Sequence, residues 1–350
     1  MGTDLAGDGT ARGPAFFCAA ATAEMSAVGG VMGGMETFSL VPRGPFSLTA
    51  SIRFLEGFTP AAYAGPADSA LELAFPVEGS WETVGVRVRQ GAGDAGDAAG
   101  NVTAEIVSPD KPGPDLVAAV HQQVERILSL DVDGSGFSAV GERDPVVGQL
   151  QRRYPGLRPV GFWSPYEAAA WTIIGHRIRM TQAAAIKTRM AEQLGVPVSF
   201  GGQVVHAFPS PQQLAGLDTF PGLAGRKPEW LRILAEAALD GRLDAARLRA
   251  MPHEEAMADL KKLPGIGDFS AGLTLLRGAG DPDAVPGQEP RLARAVALAY
   301  GLPGPATPEQ VVAISESWRP YRTWVTLLLR IQLEFQTGEI TGRQGHIRTD

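Results

Sequence analysis

The residues with the clearest chemical meaning are Leu263-Pro264-Gly265-Ile266-Gly267 and, about twenty residues later, Val285-Pro286-Gly287-Gln288-Glu289-Pro290-Arg291. Two glycines one residue apart at the entry to a helix expose consecutive backbone N–H groups, a nest that holds an anion without a basic side chain. That chemistry suits a phosphate. Pro290 suits the first position of a helix, which places Glu289 at the N-cap. Ser, Thr, Asp or Asn would serve there for stability alone, so capping preference does not explain a Glu. A fixed carboxylate at that point can stabilise developing positive charge or position a water for attack.

Other chemistries find less support. The single cysteine, Cys18, excludes an internal disulfide framework and a four-cysteine metal or iron–sulfur site, and the five histidines (121, 176, 206, 253 and 346) show no metal-ligand spacing. No metal and no cofactor are expected. No apolar run approaches the roughly 18 residues of a membrane helix, and the first residues lack the pattern of a signal peptide, so a cytoplasmic protein without membrane attachment is expected. A net charge of −7 argues against a protein that coats nucleic acid non-specifically. Locally the balance reverses: Arg143, Arg152, Arg153, Arg158, Arg177, Arg179, Lys187 and Arg189 outnumber Glu142, Asp144, Glu167 and Glu192, leaving room for a basic face.

The elements that must carry these residues divide the chain into an α+β part and a helical part. Residues 1–35, rich in Gly, Ala, Thr and Asp, read as a disordered tail, and 339–350 as a C-terminal tail. Residues 36–130 read as a small antiparallel sheet with a covering helix. Phe46–Phe54, Glu82–Arg89 and Asn101–Val107 alternate or are β-branched, Gly91–Gly100 is a loop, and Asp115–Leu130 has helical spacing. Residues 131–338 read as all-helical, with segments at Pro145–Tyr154, Pro165–Leu194, Pro211–Leu217, Pro228–Asp240, Asp244–Ala250, His253–Lys262, Asp268–Gly278, Pro290–Tyr300, Pro308–Trp318 and Tyr321–Thr337. Several of these begin with Ser or Thr followed by Pro.

The hairpin and this order of parts resemble the helix-hairpin-helix DNA glycosylase superfamily, in particular the 3-methyladenine DNA glycosylase II, or inducible alkylpurine, type. Arg152-Arg153-Tyr154-Pro155-Gly156-Leu157-Arg158, Phe208-Pro209-Ser210-Pro211-Gln212-Gln213-Leu214 and Trp318-Arg319-Pro320-Tyr321-Arg322-Thr323-Trp324 carry the same resemblance, which spans roughly Phe38 to Phe335. It implies a TATA-binding-protein-like sheet domain ahead of the helical core. It also implies a monofunctional enzyme of base excision repair that flips an alkylated purine out of duplex DNA and hydrolyses its N-glycosidic bond. The partner is then duplex DNA containing damaged bases, met by a bacterial cytoplasmic protein, nucleoid-associated when on DNA. A monomer without an obligate protein partner is expected.

The resemblance assigns roles residue by residue. Gly265, Ile266, Gly267 and Phe269 supply the backbone grip on DNA, and Phe269 and Leu273 line the base pocket. His176 and Arg177 stand where the family fills the gap left by a flipped base; the alternative is a helix-surface pair touching solvent or phosphate. Phe269 occupies the place of the lysine nucleophile of bifunctional relatives and cannot form a Schiff base, so hydrolysis without strand cleavage is expected. Its alternative role is packing in the second hairpin helix. The family's catalytic residue is Asp. Here Glu289 is the nearest carboxylate in register, whereas a strict count from Pro286 selects Gln288, and an exposed Glu289 paired with Arg291 or Arg294 is the non-catalytic alternative. Two other functional readings stay open: a non-catalytic DNA- or lesion-binding relative, and a glycosylase of altered lesion specificity.

Overall fold

The computed structural model describes residues 36–56, 70–91, 100–108, 110–286 and 289–338; the expected tails, most of the Gly91–Gly100 loop and Gln288 lie outside the described residues. Four strands form one antiparallel sheet: β1 (Glu36–Leu40), β2 (Leu71–Pro76), β3 (Thr83–Gln90) and β4 (Val102–Val107), in the order β1-β4-β3-β2. The register sets Val86 opposite both Leu73 and Ile106. Alternation then sends Val84, Val86 and Val88 to one face and Gly85 and Arg87 to the other. On the first face lie α1 (Leu48–Glu56) and α2 (Pro114–Ile127), whose Leu48, Ile52, Leu55, Val120, Val124 and Ile127 complete a buried apolar cluster.

Helix α1 corrects the strand expected at Phe46–Phe54. The segment alternates, but Leu48, Ser51, Ile52 and Leu55 also fall at helical spacing, and these are the residues that the fold buries. A second correction concerns the all-helical reading of residues 131–338. A two-stranded hairpin, β5 (Pro197–Ser199) and β6 (Val204–His206), packs on the second face of the sheet. Gly85 makes room for it, since a Cβ there would come within 2.5 Å of the Val198 side chain. Arg87 bonds the carbonyl of Phe200 at 3.0 Å.

The helical part continues with α3 (Phe137–Arg143), α4 (Pro145–Arg153), α5 (Pro165–Gly175), α6 (Met180–Leu194), α7 (Pro211–Ala215), α8 (Lys227–Leu239), α9 (Ala245–Ala250), α10 (His253–Leu260), α11 (Asp268–Leu273), α12 (Pro290–Tyr300), α13 (Pro308–Ser315) and α14 (Arg322–Thr337). The Ser-Pro and Thr-Pro entries act as read from the sequence. The side chains of Ser164, Ser210 and Thr307 accept backbone N–H bonds, the last two in capping boxes with Gln213 and Gln310. The segment read as Pro165–Leu194 is two helices, broken at His176–Arg179, and α11 passes into a π-helical turn at Thr274–Ala279.

Sheet and helices are locked together by buried cations. Arg126 of α2 pairs with Glu78 and donates to the carbonyl of Gly278 in the π-turn. Arg158 is buried and donates to the carbonyls of Arg43, Gly44, Pro45, Ser129 and Val132. Burial pushes its guanidinium down to about 10.

Candidate active site

The hairpin between α10 and α11 is anchored by the two apolar residues of its motif. Leu263 and Ile266 are buried, and the N–H of Ile266 donates to the carbonyl of Leu263 at 3.1 Å. Gly265 has φ +84°, and a Cβ there would lie 2.6 Å from Cε3 of Trp230. Both the backbone conformation and the indole exclude a side chain. Gly267 differs: it is exposed, its φ is −101°, and a Cβ would meet nothing within 4 Å. Its openness leaves the first turn of α11 accessible from outside. Asp268, an unwelcome charge beside a phosphate, is held by Lys261 Nζ at 2.8 Å.

Phe269 is 67% exposed, which removes the core-packing alternative. Leu273, one turn later, is half-buried against the helical core. The hairpin therefore presents an uncovered phenyl ring beside its backbone N–H groups.

The break between α5 and α6 presents His176 and Arg177, both exposed, with Arg177 at φ +57°. A left-handed non-glycine residue here ends α5 abruptly and sets the turn outward. The His176 ring stands edge-on to Trp230 with centroids 5.9 Å apart. Lys227 Nζ, itself buried, donates to the carbonyl of Ile174 at 2.8 Å near the end of α5. Through Lys227 and Trp230, α8 supports both the hairpin and this turn. Neither residue stands out in the sequence, because nothing local marks them.

Glu289 is at the N-cap of α12, and its side chain makes no capping bond there. Its Oε1 lies 3.4 Å from Arg330 Nη2, and the side chain is only 10% exposed. The other oxygen, Oε2, is buried without a hydrogen-bond partner among the described residues. Its ion-pair partner thus comes from α14, not from the Arg291 or Arg294 that the sequence suggested, and the side chain is not an exposed one. The loop leading to it is clamped on the same helix. Asp283 accepts from Arg322 Nε at 2.9 Å, and Thr323 Oγ1 both accepts from the N–H of Ala284 and donates to its carbonyl.

The expected basic face is smaller than the count suggested. Arg158 is internal, Lys187 pairs with the buried Glu167 at 2.6 Å, and Arg143 binds the carbonyls of Ser317 and Arg319. Arg152, Arg153, Arg177, Arg179 and Arg189 remain exposed. Arg277, near the end of the π-turn, points inward to the carbonyl of Val160. The Trp318–Trp324 segment is core, with Trp318, Tyr321 and Trp324 all buried. Among the described residues no group of three His, Cys, Asp or Glu side chains is placed to hold a metal ion, and no helix is long and apolar enough to cross a membrane.

No family model matches the chain. A DNA-3-methyladenine glycosylase of Bacillus subtilis (strain 168) is 26% identical over 220 residues, covering 61% of this chain and 71% of that protein. A probable bifunctional transcriptional activator/DNA repair enzyme of Mycobacterium tuberculosis (strain H37Rv) is 31% identical over 222 residues, covering 63% of this chain and 44% of that one, so the alignment spans less than half of that relative. In structure, the 3-methyladenine DNA glycosylase of Archaeoglobus fulgidus superposes with a TM-score of 0.68 at 20% identity, over 86% of this chain and 99% of that one. The shared architecture includes the sheet ahead of the helices.

Proposed function

We propose that this chain, a relative of the DNA-3-methyladenine glycosylases in sequence and in fold, is a monofunctional DNA glycosylase that releases alkylated purines of the 3-methyladenine type from duplex DNA. The observation that carries this reading is the carboxylate of Glu289: nearly buried, not used as a cap, and with one oxygen unpartnered among the described residues. A buried carboxylate oxygen without a partner costs about 1–3 kcal/mol or more, a cost that a reacting group repays in function.

Breaking the bond between C1′ and the purine nitrogen sends the electron pair to the base and leaves positive charge on the sugar. A carboxylate about 3 Å from that carbon stabilises the charge electrostatically. A cationic alkylated purine departs neutral and needs no proton. Water then adds its oxygen to C1′ and gives up a proton, leaving an abasic site. Phe269 offers an aromatic face to the extruded base, with Leu273 behind it, while the N–H groups from Gly265 to Phe269 hold the DNA backbone. His176 and Arg177 fill the vacated stack. The sheet unit, to about residue 130, buttresses the helical core through Arg126 and Arg158. A phenyl ring at position 269 excludes a Schiff base, so the strand stays intact.

The test is a duplex oligonucleotide carrying one 7-methylguanine. The reading expects free base and an abasic strand that breaks only after alkali. Cleavage without alkali would overturn the monofunctional mechanism, and absence of base release would overturn the activity.

A further inference from the structure

Glutamate has one more rotatable bond than aspartate, and a misplacement of about 1 Å in a preorganised site costs on the order of a hundredfold in rate. A catalytic Glu at this position therefore needs something to hold its carboxylate. The N-terminal N–H groups of α12 do not, because the side chain makes no capping bond. Its observed partner is Arg330, which reaches Oε1 from α14.

Taking Glu289 as the reacting carboxylate, we infer that Arg330 is its positioning residue: the guanidinium holds Oε1 and leaves Oε2 for the reacting sugar. Three observations converge on this. The carboxylate is divided in role, with one oxygen beside Arg330 and the other buried without a partner among the described residues. Both ends of the pair are fixed by the same helix, since α14 carries Arg330 and, through Arg322 and Thr323, clamps the loop that delivers Glu289. The pair is also poorly explained by stability. Arg330 is 32% exposed, and its charge is repelled by that of the neighbouring half-buried Arg277. A partly exposed ion pair adds little to folding, and a second cation nearby reduces that further. Carboxylate and guanidinium thus work as one unit, in which Arg330 acts through Glu289 and not on the DNA.

The experiment compares wild type, Arg330→Gln, Arg330→Lys, Glu289→Gln, Glu289→Asp and the double variant Glu289→Asp/Arg330→Gln. The readouts are single-turnover release of 7-methylguanine from a duplex and Kd for a duplex carrying a tetrahydrofuran abasic analogue. Arg330→Gln is expected to slow release about 30-fold or more while Kd changes by less than about threefold, with Arg330→Lys recovering to within about tenfold of wild type. Glu289→Asp, whose carboxylate withdraws from the guanidinium, is expected to slow release about 30-fold alone but less than about threefold further in the Arg330→Gln background. Wild-type rates for Arg330→Gln alongside an inactive Glu289→Gln would overturn the inference and leave the proposed function standing. Loss of rate and binding in equal proportion would also overturn it, by making Arg330 a phosphate contact. An active Glu289→Gln would instead remove the catalytic role on which the inference rests. Should Arg330→Gln fail to fold, Arg330→Met carries the test: a slower rate at unchanged Kd supports the inference, and a wild-type rate contradicts it.

Discussion

Gly265 and Trp230 are complementary: the indole of α8 fills the space that a side chain on the hairpin glycine would need, leaving 2.6 Å between Cε3 and an added Cβ. Gly267, two residues on, has open space instead. The two glycines therefore separate fold from function. Gly265→Ala combines a left-handed φ with a clash against a ring and is expected to cost about 2–4 kcal/mol, read as a lower Tm, together with DNA affinity. Gly267→Ala should leave Tm unchanged and weaken DNA binding at least about tenfold, because its methyl group obstructs only the approach of a phosphate to the nest. Equal Tm losses for both variants would contradict this division.

Phe269 offers a similar separation. At 67% exposure its ring contributes little to the core. Phe269→Ala is expected to keep stability within about 0.5 kcal/mol of wild type. Base release should fall roughly 10–100-fold, the value of one base–aromatic stack of about 1–3 kcal/mol. A large drop in Tm would restore the packing role.

Arg158 is the opposite case, a buried cation satisfied by five backbone carbonyls and, among the described residues, by no carboxylate hydrogen bond. Arg158→Met leaves those carbonyls unsatisfied and should destabilise the protein by about 3 kcal/mol or more, measured by urea unfolding. A change below about 1 kcal/mol would show that water replaces the guanidinium freely.

His253 gives stability a pH dependence. Its imidazole lies 3.6 Å from Asp281, whose carboxylate, against some opposing burial, lifts the His253 pKa above the ordinary 6.5. A raised folded pKa means a contribution fully present below about pH 6.5 and lost as pH rises through the raised value. The pair is partly exposed, so the effect is expected to stay below about 1 kcal/mol. Melting curves between pH 6 and pH 9 should lose this component in His253→Gln. The same pH slope in wild type and variant would assign it elsewhere.

Local signals account for what was legible in the sequence. Ser164, Ser210 and Thr307 announce their helices through the residues that cap them, and β3 and β4 through alternation that one buried face enforces. Leu48–Glu56 was ambiguous because its apolar residues satisfy both periods, and only the helical set meets the sheet. The β5–β6 hairpin was hidden since its strands are three residues long and owe their place to Gly85, more than a hundred residues earlier. At the candidate site, spacing marks the hairpin glycines, whereas a count from Pro286 selects Gln288, and Glu289 is preferred only as a carboxylate at the N-cap. Arg330 is not legible: it lies on a helix that reads as core, and its meaning comes only from packing α14 against α12. Trp230 is hidden for the same reason.

Whether Glu289 performs the chemistry is tested by release of free bases from methylated duplex DNA by wild type and Glu289→Gln, resolved by chromatography, with binding to abasic-analogue duplex measured in parallel. Wild type is expected to release 3-methyladenine or 7-methylguanine, Glu289→Gln to release them at least about a hundredfold more slowly, and both to bind DNA comparably. Undiminished release by Glu289→Gln would contradict that role. So would a wild-type protein that binds the abasic duplex but releases no base, which would make the chain a binder of damaged DNA rather than an enzyme.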